Sequence, residues 1–315
     1  MKRNLSVMKF IRLAAVSAGL IACAAPGFAQ KYPERAIRMI VTLPPGSSAH
    51  IAARLLQSPI EHALGQWIII DNSFGTDGIA AANEVATARP DGYTLLLAPT
   101  TFATTTARHS KLPFDPMRAL EPIALAARSA QLVLVNPKVA ANNLEEFVAL
   151  AKANPGEINY STPGAASQAH LLFDQWSAQT GMKMQHVSYF DDALALLATA
   201  LGETHITLIS ASLALPRIKS NALRALATGG TAREPQLPDV PTTAEAGYPK
   251  LQASQWVGLF APGGTPKTVV ARLNAEINRA LEDRALQAHF TEQGLSVGGG
   301  TPEEFRALIE SEIKK

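Results

Sequence analysis

Along this chain, short, nearly unbroken apolar runs alternate with longer segments in which apolar positions recur every three or four residues. Ile37 to Leu43 is the first run, holding Ile37, Met39, Ile40, Val41 and Leu43. Such near-continuous hydrophobicity, interrupted only by Arg38 and Thr42, marks a strand buried on both faces, as in parallel sheets. Pro44-Pro45-Gly46-Ser47-Ser48 breaks it, and Ala49 to Leu64 has helical spacing. Gly65 stands where a left-handed C-terminal cap belongs. Trp67 to Ile70 predicts a second strand, Ile79 to Ala88 an Ala-rich helix and Tyr93 to Leu97 a third strand, which is βαβ organisation.

The pattern restarts near residue 131. Leu132 to Val135 reads as a strand and Leu144 to Ala153 as an amphipathic helix stopped by Pro155-Gly156. Ile158 to Ser161 and His186 to Tyr189 are strand-like, with helices over Ser167 to Thr180 and Asp192 to Leu201. Ile206 to Ile209 and Leu223 to Thr228 complete a second αβ set with its own core. A third section begins near Ser254: a strand from Trp256 to Phe260, a helix from Pro266 to Leu281 and a last helix from Pro302 to Ile313. Thr301-Pro302-Glu303-Glu304 supplies that helix with a cap, a first-turn proline and acids at its positive end.

Composition changes this picture in one place. The 315 residues suffice for two domains, and 47% hydrophobic with 17% charged residues excludes disorder. The formal charge of +2 includes Lys2, Arg3, Lys9 and Arg12; the first thirty residues have no acids. Setting those four of the 28 bases aside leaves 24 against 26 acids, so the remainder gives no electrostatic case for nucleic acid. Residues 1–29 read as a signal peptide: a basic start, an apolar run from Leu13 to Ala25, Pro26, then Gly27-Phe28-Ala29 before cleavage ahead of Gln30. The run falls short of the about 20 apolar residues that span a bilayer. The expected location is the periplasm. Leu20-Ile21-Ala22-Cys23 also fits a lipobox, with Cys23 as an acylated anchor. Cys23 is the only cysteine, so the exported chain has no internal disulfide.

Motifs for chemistry are missing: there is no Gly-x-Ser-x-Gly elbow, phosphate loop or His-Glu-x-x-His helix. The seven histidines, at 50, 62, 109, 170, 186, 205 and 289, have no metal-ligand spacing. No catalytic residue, cofactor or metal is implied. Three strand-to-helix loops remain as candidates. Pro44, Pro45, Gly46, Ser47, Ser48, Ala49 and His50 form the first, Ser161 to Ser167 the second, and Tyr189, Phe190, Asp191 and Asp192 the third. Unpaired amides at a helix start suit a carboxylate or phosphate, though Ser47 or Ser48 can equally serve as a plain helix cap. In open α/β sheets such loops can share one crevice.

Ordered matches along almost the whole exported length carry a resemblance. They include Tyr32-Pro33-Glu34-Arg35-Ala36-Ile37-Arg38, Pro44-Pro45-Gly46, Ala63-Leu64-Gly65-Gln66, Pro90-Asp91-Gly92-Tyr93-Thr94-Leu95-Leu96 and Leu112-Pro113-Phe114-Asp115-Pro116. Later come Val135-Asn136-Pro137, Ala151-Lys152-Ala153-Asn154-Pro155-Gly156, Leu237-Pro238-Asp239-Val240-Pro241-Thr242, Glu245-Ala246-Gly247, Gly258-Leu259-Phe260-Ala261-Pro262 and Gly299-Gly300-Thr301-Pro302-Glu303-Glu304-Phe305. The sequence resembles the tripartite tricarboxylate transporter receptor (Bug) family of periplasmic solute-binding proteins. The resemblance implies a type II periplasmic binding protein fold of class α/β, with two α/β lobes around a ligand cleft. Lobe 1 is expected over 31–130 plus 253–315 and lobe 2 over 131–252. It also implies an organic acid held between the first and third loops. The ligand expected for this chain is a small organic acid or a related carboxylate, amino acid or amide, with membrane permease subunits as partners. A monomer is expected. The residues expected at the ligand are Pro45 to His50, Phe74, Ser161, Thr162, Ala166, and Tyr189 to Asp192.

Departures from the family pattern concentrate in those loops. Where the family reads Pro-Pro-Gly-Gly-x-x-Asp, this chain has Ser47 and His50; where it reads Tyr-x-Gly, this chain has Asp191; and the turn Ser73-Phe74-Gly75-Thr76-Asp77-Gly78 is altered. An unpaired carboxylate about 4 Å from a ligand carboxylate is repulsive by about 4 kcal/mol at an effective dielectric of about 20. Three readings are open. Asp191 pairs with a positive or neutral ligand end, or a protonated His50 offsets it, or it caps a helix and points away from the cleft. Two rivals from other classes are an exported enzyme using His50 or Asp191 on a small polar substrate, and a degenerate sensory or regulatory family member. All of this requires residues 44–50 and 189–192 to border one cavity.

Overall fold

The computed structural model describes residues 32–73, 78–103, 112, 114–165 and 167–313. The expected signal peptide and Cys23 lie outside the described residues. Two compact units separate at Glu34. The first contributes residues 32–34 to the description, with a cis Tyr32–Pro33 peptide. The second, Arg35–Lys315, contains every strand and helix of the described chain.

Strand β1 (Ile37–Val41) buries Ile37, Met39, Ile40 and Val41 almost completely, as a near-continuous apolar run requires. It pairs in parallel with β2 (Ile68–Asn72) and β3 (Thr94–Pro99). Helix α1 (Ser48–Leu64) joins β1 to β2 and ends at Gly65, whose φ of 67° and N–H bond to Glu61 are those of a left-handed cap. Helix α2 (Ile79–Ala86) joins β2 to β3. The one-turn helix α3 (Pro116–Ala119) then leads into β4 (Leu120–Val135).

Strand β4 is the largest correction to the sequence reading, which placed a strand only at Leu132 to Val135. It runs sixteen residues and pairs antiparallel with β9 (Ser254–Pro262) along its first part. Along its last part it pairs with β7 (Ile206–Ser210) and β8 (Arg224–Thr228). Pro122 and Arg128 disguise the first part, and its register slips between Pro122 and Ala124 and again between Leu125 and Ala127. A bulge resets the inside–outside alternation, so the period-two pattern is lost from the sequence.

Between β4 and β8 the chain forms α4 (Leu144–Ala153), β5 (Asn159–Thr162), α5 (Gln168–Thr180), β6 (Gln185–Ser188), α6 (Asp192–Leu201) and, after β7, α7 (Ala211–Lys219). After β9 come α8 (Lys267–Leu281), α9 (Arg284–Glu292), β10 (Ser296–Gly299) and α10 (Pro302–Ile313). The strands run β2-β1-β3-β9-β4-β7-β5-β6, with β8 and β10 also on β4. Helices α7 and α9 and strand β10 are absent from the sequence reading. Helix α7 carries Pro216 in its last turns, and β10 contains Gly298, whose Cβ position would lie 2.2 Å from the Leu125 carbonyl oxygen. Glycine therefore permits a close approach there at the expense of strand propensity. Thr301 and Glu304 form the expected reciprocal cap: the Glu304 amide donates to Thr301 Oγ1 at 3.1 Å and the Thr301 amide to Glu304 Oε2 at 2.8 Å.

Each half of the sheet has its own core. Around β1, β3 and β9, Ile40, Leu96, Phe102, Trp256, Phe260 and Phe305 pack together. In the other half the alternation of β4 divides the residues: Val133 and Val135 face Phe147, Phe173 and Trp176, while Leu132 and Leu134 face Leu196, Ile209 and Leu223. Where the halves meet, Gln131 donates to the Ala253 carbonyl, Ala253 to Gly229 and Gly229 to Gln131, all within 3.1 Å. A Cβ on Gly229 would sit 2.7 Å from the Ala253 backbone, so only glycine fits this junction.

Candidate functional site

The break after β1 is built by a turn in which the Ser47 amide donates to the Pro44 carbonyl at 3.2 Å, with Gly46 at φ 88°. Ser47 then caps α1, its Oγ accepting from the His50 amide at 3.3 Å. The amides of Ser48 and Ala49 open the helix and have no acceptor one turn earlier. Across the molecule, Asp191 caps α6 by accepting from the Leu194 amide at 2.8 Å. Ser210 stands at the start of α7 without a side-chain cap bond.

These three helix starts border one open cleft, whose space together with the adjoining solvent comes to about 510 Å³. Its walls are Leu43 to Ser48 of the β1–α1 loop, Asp191 to Ala193 of α6, and Ser210 and Leu213 of α7. The first and third loops of the sequence reading therefore meet across a shared space. No Lys, Arg or His stands among the described lining residues. Asp192 is partly exposed, yet enclosure of its carboxylate raises its pKa to about 6, with the neighbouring Asp191 charge as the second cause.

The remaining expected residues lie in several places. His50 is not on the cavity wall. Its Nδ1 is 3.0 Å from Asn72 Oδ1, and the Asn72 amide donates to the Leu43 carbonyl at 2.8 Å. The Asn72 amide group therefore presents its oxygen, and His50 Nδ1 donates; this pair braces the exit of β1 against β2. Ala49 is buried in the core. Ser161 and Thr162 are fully buried. Ser161 Oγ bonds the Ala195 carbonyl at 2.9 Å and Thr199 Oγ1 at 2.8 Å, while Thr162 Oγ1 bonds Gly164 at 3.0 Å and His186 Nε2 at 2.7 Å. Tyr189 directs its hydroxyl toward Glu203, and Phe190 is 79% exposed. Phe74 and Ala166 lie outside the described residues. The expected ligand residues left out Leu43, Pro44, Ala193, Ser210 and Leu213. The signal for the last two was present, because Ser210-Ala211-Ser212 directly follows an apolar run, as the small residues of the first two loops do.

Behind the third loop, His170 and His186 stack with ring centroids 3.9 Å apart, and Tyr160 lies 5.1 Å from His186. Tyr160 donates to Asp174 at 2.8 Å, and His170 Nε2 is 3.4 Å from the same carboxyl group. Burial, and then the His170 charge, hold His186 below its ordinary value, with Asp174 opposing. The folded chain thus takes up this proton at lower pH than the unfolded chain, so His186 costs stability as pH falls below about 6.5. Asp192 acts in the opposite sense, because its raised pKa makes the folded form bind a proton first as pH falls through about 6. Comparison with His186→Asn isolates the histidine: thermal melts from pH 7.5 to 5 are expected to fall more steeply in the parent chain. Parallel profiles would exclude a contribution from the stack.

Among the described residues no group of three or more His, Cys, Asp or Glu side chains could hold a metal ion. No helix among them is long and apolar enough to cross a membrane. Residues 52–315 match the family described as "Tripartite tricarboxylate transporter family receptor". Protein BugT of Bordetella pertussis is 34% identical over 313 residues, covering 98% of this chain and 96% of BugT. A solved structure described as a periplasmic transporter is 36% identical, with a TM-score of 0.83 over 90% of this chain and 95% of its own. MatC from Rhodopseudomonas palustris, solved with bound malate, is 30% identical, with a TM-score of 0.79 over 90% and 98%.

Proposed function

The chain belongs to the tripartite tricarboxylate transporter receptor family, and from that premise we propose that it captures a small organic acid or related polar compound in the cavity between the β1–α1 loop and the start of α6. Its fold is the two-lobed periplasmic binding protein fold, and its role is solute binding. We place the lobes at 31–130 with 253–315, and at 131–252. The hinge is then the hydrogen-bonded junction of Gln131, Gly229 and Ala253. Residues 1–29 direct export to the periplasm, permease subunits receive the ligand, and the receptor works as a monomer.

One observation carries this reading: the cavity is walled by helix starts from both halves of the sheet. A carboxylate entering it meets unpaired amides and the positive ends of helix dipoles, and the second wall adds contacts only when the halves approach. The contacting set is Pro45 to Ser48 with Asp191 and Asp192 from the sequence reading, joined by Ala193, Ser210 and Leu213. Ser161, Thr162 and His50 support the loops from behind, through their hydrogen bonds to Ala195, Gly164 and Asn72. In this reading the receptor releases its ligand unchanged: among the described lining residues there are acids and serines, but no histidine or lysine to act as a base toward them.

The test is a thermal-shift screen of the exported chain against mono- and dicarboxylates, amino acids and carboxamides, with the hit recovered and weighed. At a hundredfold excess over Kd a ligand stabilises by about 2.7 kcal/mol, which for a chain of this size is a rise of roughly 5–10 °C. Unchanged ligand with such a rise is the expected result. Recovery of a product would show an enzyme, and no shift with any compound would remove the receptor reading.

A further inference from the structure

We propose that this cavity selects a ligand carrying a cationic or hydrogen-bond-donating group together with its carboxylate, such as an ω-amino acid or a half-amide, in preference to a diacid, with Asp192 as the specificity-determining residue. The inference rests on the receptor reading above and adds the charge of the ligand. Two neighbouring acidic residues, Asp191 and Asp192, stand on the wall, and no basic residue accompanies them among the described lining residues. Asp191 uses one oxygen to cap α6, which keeps its charge in place. The Asp192 side chain forms no hydrogen bond or ion pair among the described residues. It is a partly enclosed acid with acceptor capacity open toward the cavity side of α6, which an incoming donor complements and an incoming anion opposes.

His50 was the one group in the first loop able to neutralise the pair. It is off the wall, and its Nδ1 hydrogen is directed to Asn72. The opposite chemistry is supplied by backbone: the openings of α1 and α7 present amides, and α7 has no side-chain cap to occupy them. The cavity is therefore bipolar, with amide hydrogens for a carboxylate and carboxylates for a donor. A diacid satisfies only the first. An ammonium or amide at the far end of a carboxylate satisfies both, and binding then favours the ionised form of Asp192.

Matched pairs at pH 7.5 provide the test, by calorimetric titration of the exported chain. The pairs are succinate with β-alanine, glutarate with 4-aminobutyrate, and adipate with 5-aminopentanoate, each with its half-amide as a third member. At the best-fitting length the amine or half-amide is expected to bind at least tenfold tighter than the diacid. Asp192→Asn should cut the amine's affinity at least tenfold and narrow or reverse the preference. Asp191→Asn, which retains a helix cap, should reduce it less, and lowering the pH to 5 should weaken the amine's binding to the parent chain. Melting curves confirm that both variants fold. A diacid that binds tighter than its amine and half-amide, or a preference that Asp192→Asn leaves unmoved, overturns the inference while the receptor reading stands. Silence from every compound of all three kinds overturns both.

Discussion

The Gly258→Ala variant should unfold in urea with about 2–3 kcal/mol less stability than the parent chain, a large loss for one methyl group. Gly258 lies in β9, and a Cβ built on it falls 1.9 Å from Phe305 Cζ and within 2.8 Å of both Cε atoms. The ring cannot step aside. Phe305 is 2% exposed and held by Trp256 at 5.2 Å and Phe260 at 5.1 Å. Phe305→Ala should itself cost about 3–5 kcal/mol by leaving a cavity. The pair is the informative case. With the ring gone, the alanine methyl has room, so the double variant should cost less than the two losses added. Urea melts of the parent, the two single variants and the double variant complete the cycle. Additive losses would mean that the ring and the strand are not in contact, and the assembly of this core would need revision.

Replacing Ala193 by Trp should weaken binding of the best ligand by at least 100-fold while leaving the unliganded melting temperature within about 2 °C. Ala193 lies in the first turn of α6, exposed and on the cavity wall. An indole there fills space that a ligand needs, yet buries nothing that the fold depends on. The same side chain also holds the first turn of α6 away from the β1–α1 loop, so it opposes lobe closure directly. Titration and melting of the same preparation separate the two effects. Full affinity in a folded Ala193→Trp variant would place the ligand elsewhere.

The two predictions draw on different kinds of information. The coupling of Gly258 to Phe305 joins two segments that the sequence reading quoted as separate motifs, Gly258 to Pro262 and Gly299 to Phe305. Nothing in either segment says that one ring fills the space above the other's missing side chain. The importance of the third loop was legible: a small polar segment between a strand and a helix is recognisable from a dozen consecutive residues. Its partner wall on α7 was not read, because a nine-residue helix with an internal proline has little local signature and is held by its contacts with β4 and β7. The question over Asp191 was also open in the sequence. Capping and lining the cleft were alternatives there, whereas in the folded chain the same residue caps α6 and stands on the cavity wall.

By itself the sequence determined what depends on near neighbours in the chain: the alternation of buried strands and amphipathic helices, the caps at Gly65 and Thr301, and the three polar strand-to-helix loops. Helix termini and strand hydrophobicity are legible because the groups that satisfy them lie within a few residues. Only the tertiary structure decided that β4 spans both halves, that His50 turns to Asn72, that Ser161 and Thr162 are internal braces, and that Asp192 stands on a wall whose described residues include no base. Those outcomes depend on which distant segments exclude water from a side chain and which leave it a partner. The chain's local pattern carries no record of that until the sheet has assembled.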